Sequence, residues 1–193
     1  MDQQQLRSDL NDSEIVAAVR AGDTSAFRSI YERYRDRVHS VVFFTCGDGN
    51  QAEDLVQTVF LKAFRAMPGF RFESSLGTWL ISIAINEARN VRARSRPPGV
   101  PLEALLGSGD EIDARSVLPD EFYAQGQRQT ILQQAVLELS PKLREVVVLR
   151  FVEGLSYDEI SDVLGCASGT VASRLHRALA ELQSKLHLLK RVL

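Results

Sequence analysis

Apolar side chains recur at three- and four-residue steps along two stretches of the chain, the spacing that places them on one face of an α-helix. In the first stretch, residues 12–96, this pattern predicts three long helices whose apolar stripes cover 27–42, 52–67 and 76–91. The strict alternation typical of β-strands does not occur there. The stretch therefore predicts a compact helical bundle. Asn50 is expected to cap the second of these helices and Ser75 to begin the third.

The helical pattern fails between residues 97 and 124, where prolines and glycines crowd together with six acidic residues and a single arginine. Proline stiffens a chain, whereas glycines and like charges keep it extended and mobile. This segment predicts a flexible acidic linker. The domains are then a first unit at 12–96, the linker at 97–124 and a second unit at 125–193.

The second unit begins with an apolar helix over residues 131–139 and continues with a sequence of helix start and stop signals. Ser140, followed by proline, predicts a capped helix with apolar positions up to Phe151, and Ser156 with Glu159 forms a capping box. Gly165 ends that short helix before a longer one begins at Ser168. A short helix, a tight turn and a second helix are typical of a helix-turn-helix. Five residues are expected to fill the wedge between its helices: Ile160, Leu164, Cys166, Val171 and Leu175. The fold class is thus predicted to be all-α, with two small helical domains.

Composition excludes several classes of protein. The 193 residues are 45% hydrophobic and 25% charged, which is typical of a globular chain. No apolar run approaches the roughly 20 residues that cross a bilayer, and no signal sequence is evident, so we expect a cytoplasmic protein without membrane insertion. The three histidines are scattered and no phosphate-binding glycine loop occurs, which predicts no enzyme activity, no metal and no cofactor. Cys166 has no cation beside it in sequence and is expected to be a packing residue.

The net charge of −2 hides segments of opposite sign. Residues 86–96 hold four arginines against one glutamate (+3), the linker is −5, and residues 168–193 hold five basic residues against one glutamate (+4). Two basic patches favour a polyanionic partner. In the second patch, arginine near the front of a helix is suited to guanine in the major groove. In the first, aromatic and basic residues at 70–79 are typical of single-strand binding.

Several motifs, taken together and in order, resemble the extracytoplasmic-function group of bacterial RNA polymerase sigma factors, in the sigma-70 family. The resemblance covers residues 12–189. The motifs that carry it are DLVQ at 54–57, GTWL at 77–80, IA at 83–84 with Asn86, LSYDEI at 155–160, GTV at 169–171 and SRL at 173–175. Gly77 and Ser82 depart from the family, which frequently has basic residues near Trp79.

The resemblance implies three functional surfaces and their partners. Asp54, Gln57 and Phe60 would dock on the clamp helices of the largest subunit of core RNA polymerase. The flap of the second subunit would be a further polymerase contact of the protein. The surface for the melted minus-ten element of promoter DNA would comprise Phe70, Arg71, Phe72, Ser74, Ser75, Trp79, Asn86 and Arg89. The surface for the duplex minus-thirty-five element would comprise Ser168, Thr170, Ser173, Arg174 and Arg177. An anti-sigma factor is a further expected partner.

Two functions of different class follow from these patterns. In the first, the protein is a sigma factor that binds core polymerase and directs promoter-specific initiation. In the alternative, it is a one-component helix-turn-helix regulator whose first unit senses a ligand or dimerises. Binding to core polymerase in the absence of DNA would distinguish them, because a repressor or activator does not require tight binding to the enzyme.

Overall fold

The computed structural model describes residues 10–47, 49–94 and 126–189, and within these ranges every regular element is helical. The α-helices are α1 (Asp12–Arg20), α2 (Phe27–Cys46), α3 (Gly49–Ala66), α4 (Leu76–Arg94), α5 (Gly126–Leu137), α6 (Pro141–Val147), α7 (Tyr157–Leu164) and α8 (Ser168–Leu189). Short 3-10 turns at Thr24–Ala26 and Met67–Gly69 and a π-helical turn at Val148–Val152 complete the elements. The all-α prediction is confirmed. The proposed linker, 97–124, lies outside the described residues.

The first unit is built from α1 to α4. A capping box begins α1: the Asn11 side chain accepts the Glu14 N–H at 3.0 Å, and the Glu14 carboxylate accepts the Asn11 N–H at 2.8 Å. Helices α2, α3 and α4 each contact the other two. Their apolar stripes supply the core because burial removes these faces from water. Residues fully buried between the helices include Ile30, Val38, Val41, Val59, Ala63, Leu80, Ile81 and Ala84.

Asn50 and Ser75 were predicted to lie at the starts of α3 and α4. Helix α3 begins at Gly49, so Asn50 lies within its first turn and not at the cap position, which corrects that prediction. The Ser75 hydroxyl accepts the Thr78 N–H at 3.0 Å, directly before α4, and this satisfies one of the donors left unpaired at a helix start. The predicted start of α4 is confirmed.

Gly77 lets α4 approach α2 closely. A Cβ atom at this position would lie 2.9 Å from Nη1 of Arg37 and 3.0 Å from Cε1 of Tyr34. Tyr34 is buried, and its hydroxyl donates to Asp12 at 2.5 Å. Burial, with Asp12 adding to it, raises the pKa of Tyr34 to about 12. The Tyr34 ring is therefore packed against α4 at Gly77, and its hydroxyl is held by Asp12.

The second unit is built from α5 to α8 and contains the predicted helix-turn-helix. The Ser156 side chain and the Glu159 carboxylate form the expected capping box at the start of α7, and Gly165 ends α7 with a left-handed φ of 64°. Four of the five wedge residues are buried, and Cys166 packs against them while half-exposed. At the start of α6, the Ser140 side chain makes no capping bond, contrary to prediction; its carbonyl accepts the first helical N–H groups instead.

Several apolar residues of the second unit are exposed although their spacing predicted burial, among them Phe151 and Leu132. Phe151 is 60% exposed because it lies in the π-helical turn, where the wider turn shifts the side chains out of the α-helical register. Leu132 is 48% exposed, and among the residues of α5 whose burial is described, 130–137, those in the core lie in the last turn, at 135–137. Helical periodicity fixes which residues share a face, but it does not fix how much of the face is covered.

The two units contact each other directly. Helix α7 packs on α4, and α6 and the π-helical turn pack on α2. No helix in the described part of the chain has the length and apolarity needed to span a membrane.

Candidate nucleic-acid interface

Helix α8 presents the outer face of the helix-turn-helix. Ser173 and Arg177 are exposed there, and the Ser173 hydroxyl donates to the Thr170 carbonyl at 3.0 Å. Ser168 is half-buried and donates to Asp158 at 2.8 Å, which ties the start of α8 to α7. The guanidinium of Arg177 is thus available to a groove or a phosphate, and the hydroxyls are suited to phosphates or base edges.

Arg174 does not point fully outward, contrary to the interpretation of the sequence. Its side chain is half-buried, and Nη1 lies 3.8 Å from the Sγ of Cys166. The tight turn brings the start of α8 back over Cys166, so a cation eight residues away contacts the thiol. Cys166 packs against the core, as predicted, and the cation that its sequence neighbours lack is supplied by Arg174.

An aromatic cluster joins the loop between α3 and α4 to the first turn of α4. The Phe70 ring is buried, with its centroid 4.6 Å from that of Phe72 and 4.7 Å from that of Trp79. Phe72 is 43% exposed and has a φ of 58°, a conformation that is unusual for a bulky residue. Arg20 donates to the Phe70 carbonyl and holds the loop from beneath, a contact that the sequence did not reveal. The loop therefore offers one aromatic face to solvent on a fixed base.

The polar members of the predicted minus-ten surface are exposed, with one exception. Arg71, Ser74, Ser75 and Asn86 are exposed. Arg89, one helical turn after Asn86, is half-buried and turned toward the second unit, where it donates to Glu145. That hydrogen bond is the largest cause of the raised pKa of Arg89.

Charged contacts of α6 and the π-helical turn hold the two units together. Glu145 is 1% exposed and accepts from Arg89 at 2.6 Å and from Arg92 at 3.3 Å. Glu153 accepts from Arg37 at 2.8 Å. Arg144 donates to main-chain carbonyls of its own unit and, at 3.2 Å, to that of Phe44 in α2. Burial lowers the pKa of Arg144 to about 10.

The predicted polymerase-docking residues divide into two groups. Asp54 and Gln57 are exposed on α3, as their spacing predicted. Phe60 is only 4% exposed and makes edge-on contacts with neighbouring rings, 4.8 Å from the Tyr31 centroid, so it supports the helix and offers no contact area. Leu61, which the sequence analysis missed, is 51% exposed beside it. In the ranges that the structure describes, no three His, Cys, Asp or Glu side chains are grouped to hold a metal ion.

Two helical units, one carrying a helix-turn-helix with an exposed arginine, define a DNA-binding protein. Comparison with known families is more specific. The family profile "Sigma-70 region 2" matches residues 30–97, and "Sigma-70, region 4" matches residues 129–182. The chain is 34% identical to the ECF RNA polymerase sigma-E factor of Escherichia coli K12, over 93% of this chain and 96% of the relative. It is also 34% identical to the RNA polymerase sigma-H factor of Pseudomonas aeruginosa, over 86% and 89%.

Solved structures agree with these sequence comparisons. The sigma factor RpoE of Bartonella quintana, solved in complex with the anti-sigma factor NepR, is 27% identical with a TM-score of 0.66, over 83% of this chain and 96% of that one. CnrH in complex with the cytosolic domain of CnrY shares the fold, with a TM-score of 0.66 over 92% of this chain and 97% of that one, at 22% identity. The chain belongs to the extracytoplasmic-function group of sigma-70 family RNA polymerase sigma factors, whose general role is promoter recognition.

Proposed function

We propose that this sigma factor divides promoter recognition between its two units. Helix α8 contacts the duplex minus-thirty-five element through Ser173, Arg174 and Arg177, and the aromatic loop with α4 holds the melted minus-ten strand. The observation that carries the proposal is the pairing, on one chain, of an exposed helix-turn-helix face with a half-exposed aromatic cluster. The arginine and hydroxyl groups of the helix-turn-helix face suit duplex DNA, and the aromatic cluster suits unpaired bases.

The energetics of melting support this division. Opening a duplex costs stacking and pairing free energy, and a pocket for an unstacked base offsets part of that cost. Stacking of one base on an aromatic ring contributes about 1 to 3 kcal/mol. Phe72 offers such a ring, backed by Phe70 and Trp79, and the exposed amide of Asn86 can bond to the edge of a flipped base.

The exposed face of α3 is the proposed docking surface for the clamp helices of core polymerase. Asp54 and Gln57 supply its polar groups and Leu61 its apolar area. The flap of the second subunit would bind the second unit. In this role the protein carries no catalytic site of its own and acts in the cytoplasm, where its polymerase works. The solved relatives RpoE and CnrH are bound to partners, RpoE to a protein named as an anti-sigma factor, which supports an anti-sigma partner here.

In vitro transcription tests the function directly. Core polymerase with the full chain should initiate from a subset of a promoter pool, and core polymerase alone should not. The double variant Asp54→Ala, Gln57→Ala should lose these transcripts and co-purification with core enzyme, whereas Asp162→Ala, at an exposed position of α7, should retain both. An absence of transcripts that depend on the protein would refute the proposal.

Two further variants separate the DNA surfaces. Arg177→Ala should weaken holoenzyme binding to duplex promoter by about 1 to 3 kcal/mol if its contact is to a base. Asn86→Ala should act only after melting, so its defect should be largest on a template whose minus-ten bases are specified within a preformed bubble. Lys142→Ala, at an exposed position on α6, is the control for lost charge. Equal weakening of duplex binding by the Arg177 and Asn86 variants would contradict the division.

A further inference from the structure

Arg20, the last residue of α1, donates hydrogen bonds to the 3-10 turn that follows α3. Its Nε lies 3.3 Å from the carbonyl oxygen of Met67, and its Nη2 donates to the carbonyl of Phe70. Met67 is fully buried and begins the turn, and Phe70 caps its end. The Arg20 guanidinium therefore bridges the two ends of this turn from another helix.

Electrostatics favour a cation at this point of the fold. The C-terminal end of a helix carries the negative pole of the helix dipole, which attracts basic side chains. Arg20 lies in the last turn of α1, and the 3-10 turn that it reaches directly follows the C-terminal end of α3. A guanidinium is suited to such a bridge because its planar fork directs several N–H donors at once.

The Phe70 carbonyl is the last anchored main-chain group before Phe72. In the part of the chain that the structure describes, no hydrogen bond reaches the main chain of residues 71–73, and all three residues are exposed. The next anchored position is Ser75, at the start of α4. Arg20 therefore fixes the point from which the loop leaves the bundle.

The conformation of Phe72 depends on that anchor. Its φ of 58° is one that bulky residues rarely adopt, and such a conformation persists only where the surrounding structure holds it. The Phe72 ring packs on the Phe70 ring, with centroids 4.6 Å apart, and Phe70 packs on Trp79 at 4.7 Å. A shift of the Phe70 main chain would therefore move the half-exposed ring that the loop presents to solvent.

We propose that Arg20 is a positioning residue for the melted minus-ten strand: through the Met67 and Phe70 carbonyls, it holds the Phe72 ring in the orientation that stacks on an unpaired base. The inference rests on the proposed function, since the aromatic loop is the proposed surface for that strand. A ring that is already ordered loses little conformational freedom when a base stacks on it, which favours binding. In this role Arg20 acts only through Phe72 and makes no contact with DNA.

The test compares four full-chain forms: wild type, Arg20→Met, Arg20→Lys and Arg28→Met. Methionine keeps an unbranched side chain but has no N–H donors, whereas lysine keeps the charge and donors without the planar fork. Arg28 is exposed on α2 and pairs with Glu32 at 3.3 Å. Its variant therefore removes an arginine from the same unit without touching the loop.

Two kinds of measurement separate positioning from general stability. In the free protein, acrylamide quenching of Trp79, the single tryptophan, reports on the aromatic cluster, and urea unfolding shows whether the fold is retained. With core polymerase, anisotropy gives the affinity for two probes from a promoter that the holoenzyme transcribes. One probe carries a preformed minus-ten bubble, and the other is a duplex with the minus-thirty-five element alone. Bubble binding by Phe72→Ala and by the double variant Arg20→Met, Phe72→Ala completes a double-mutant cycle.

We expect Arg20→Met to increase the quenching of Trp79 and to weaken bubble binding by about fivefold, within the loss of one base stack. Duplex affinity should change by less than about twofold, because the aromatic loop does not contact that probe. Arg20→Lys should recover part of the bubble affinity, and Arg28→Met should match wild type. In the Phe72→Ala background, Arg20→Met should have almost no further effect, because the ring that it positions is already absent.

Unchanged bubble affinity in Arg20→Met would overturn the proposal. A loss that persists in full without the Phe72 ring would also overturn it, since Arg20 would then contact the DNA directly. Failure of the proposed function gives a different result. If Phe72→Ala and Asn86→Ala left bubble affinity unchanged while Arg20→Met still increased Trp79 quenching, Arg20 would hold the loop, and the assignment of the loop to the minus-ten strand would be refuted.

Discussion

The close approach of α4 to α2 makes Gly77→Ala a sensitive test of the packing. In an open helical position, alanine in place of glycine stabilises a protein by about 0.4 to 1 kcal/mol, because it restricts the unfolded chain and favours the helix. At Gly77 the added methyl group would lie 2.9 Å from Nη1 of Arg37 and 3.0 Å from Cε1 of Tyr34. Both distances are shorter than ordinary van der Waals contact between such atoms.

The two neighbours differ in how easily they yield. The end of the Arg37 side chain can move, although moving it disturbs the ion pair with Glu153. The Tyr34 ring is buried and tied to Asp12, so it resists displacement. Overpacking of this kind costs about 1 to 3 kcal/mol. After the gain in helix propensity is subtracted, we expect Gly77→Ala to lower the free energy of unfolding by about 1 kcal/mol.

Gly169→Ala is the matched control. Gly169 is also the second residue of its helix, and a Cβ atom there meets nothing within 4 Å. It should therefore keep or raise stability, leaving the two variants about 1.5 to 2 kcal/mol apart by the same reasoning. Urea unfolding followed by circular dichroism measures both, and fluorescence of Trp79, the single tryptophan, reports on the first unit. If Gly77→Ala gained as much stability as Gly169→Ala, the close approach of the helices would be refuted.

Two further predictions follow from single contacts. Ser156→Ala should cost about 1 kcal/mol because it breaks the capping box of α7, whereas Ser140→Ala, which loses no capping bond, should be nearly neutral in the same urea titration. Burial raises the pKa of Glu153 above its usual 4.5 despite the opposing effect of Arg37. The native state therefore binds the carboxyl proton more tightly than the unfolded chain does, and the free energy of unfolding falls as pH rises from below 4.5 through the raised pKa of the native state. Glu153→Gln removes this loss, so its stability relative to wild type should increase from pH below 4.5 to neutral pH; a difference independent of pH would contradict the assignment.

The sequence predicted the local structure of both units because helices and caps depend on neighbouring residues. The Ser156 capping box, the left-handed Gly165 and the start of α4 at Ser75 each need information from only a few positions. Two local predictions, the caps at Asn50 and Ser140, were wrong. Other errors arose where a second element decides the outcome. Phe60 shares a helix with the exposed residues Asp54 and Gln57 but turns inward against Tyr31, and helical spacing alone does not distinguish the two orientations.

The contacts between the units could not be predicted for a different reason. The residues of the Arg37–Glu153 pair are 116 positions apart, and those of the Arg89–Glu145 pair are 56 apart. Such pairs depend on how the two units meet, and helical periodicity does not show which residue of one unit contacts which residue of the other. The same limit applies to Arg174, which reaches Cys166 only because the turn folds α8 back toward α7.

One local signal did mark the boundary between the units. Glu145 lies in the segment from Leu143 to Leu149, which is apolar apart from Glu145 and Arg144, and a charge on the buried face of a helix carries a large desolvation cost. The desolvation cost is avoided if the carboxylate faces solvent, and it is offset if the carboxylate pairs with a cation. Pairing requires a basic residue from elsewhere in the chain. Arg89 and Arg92 supply that basic charge. A carboxylate within an apolar stripe and arginines on another unit are thus complementary halves of one contact.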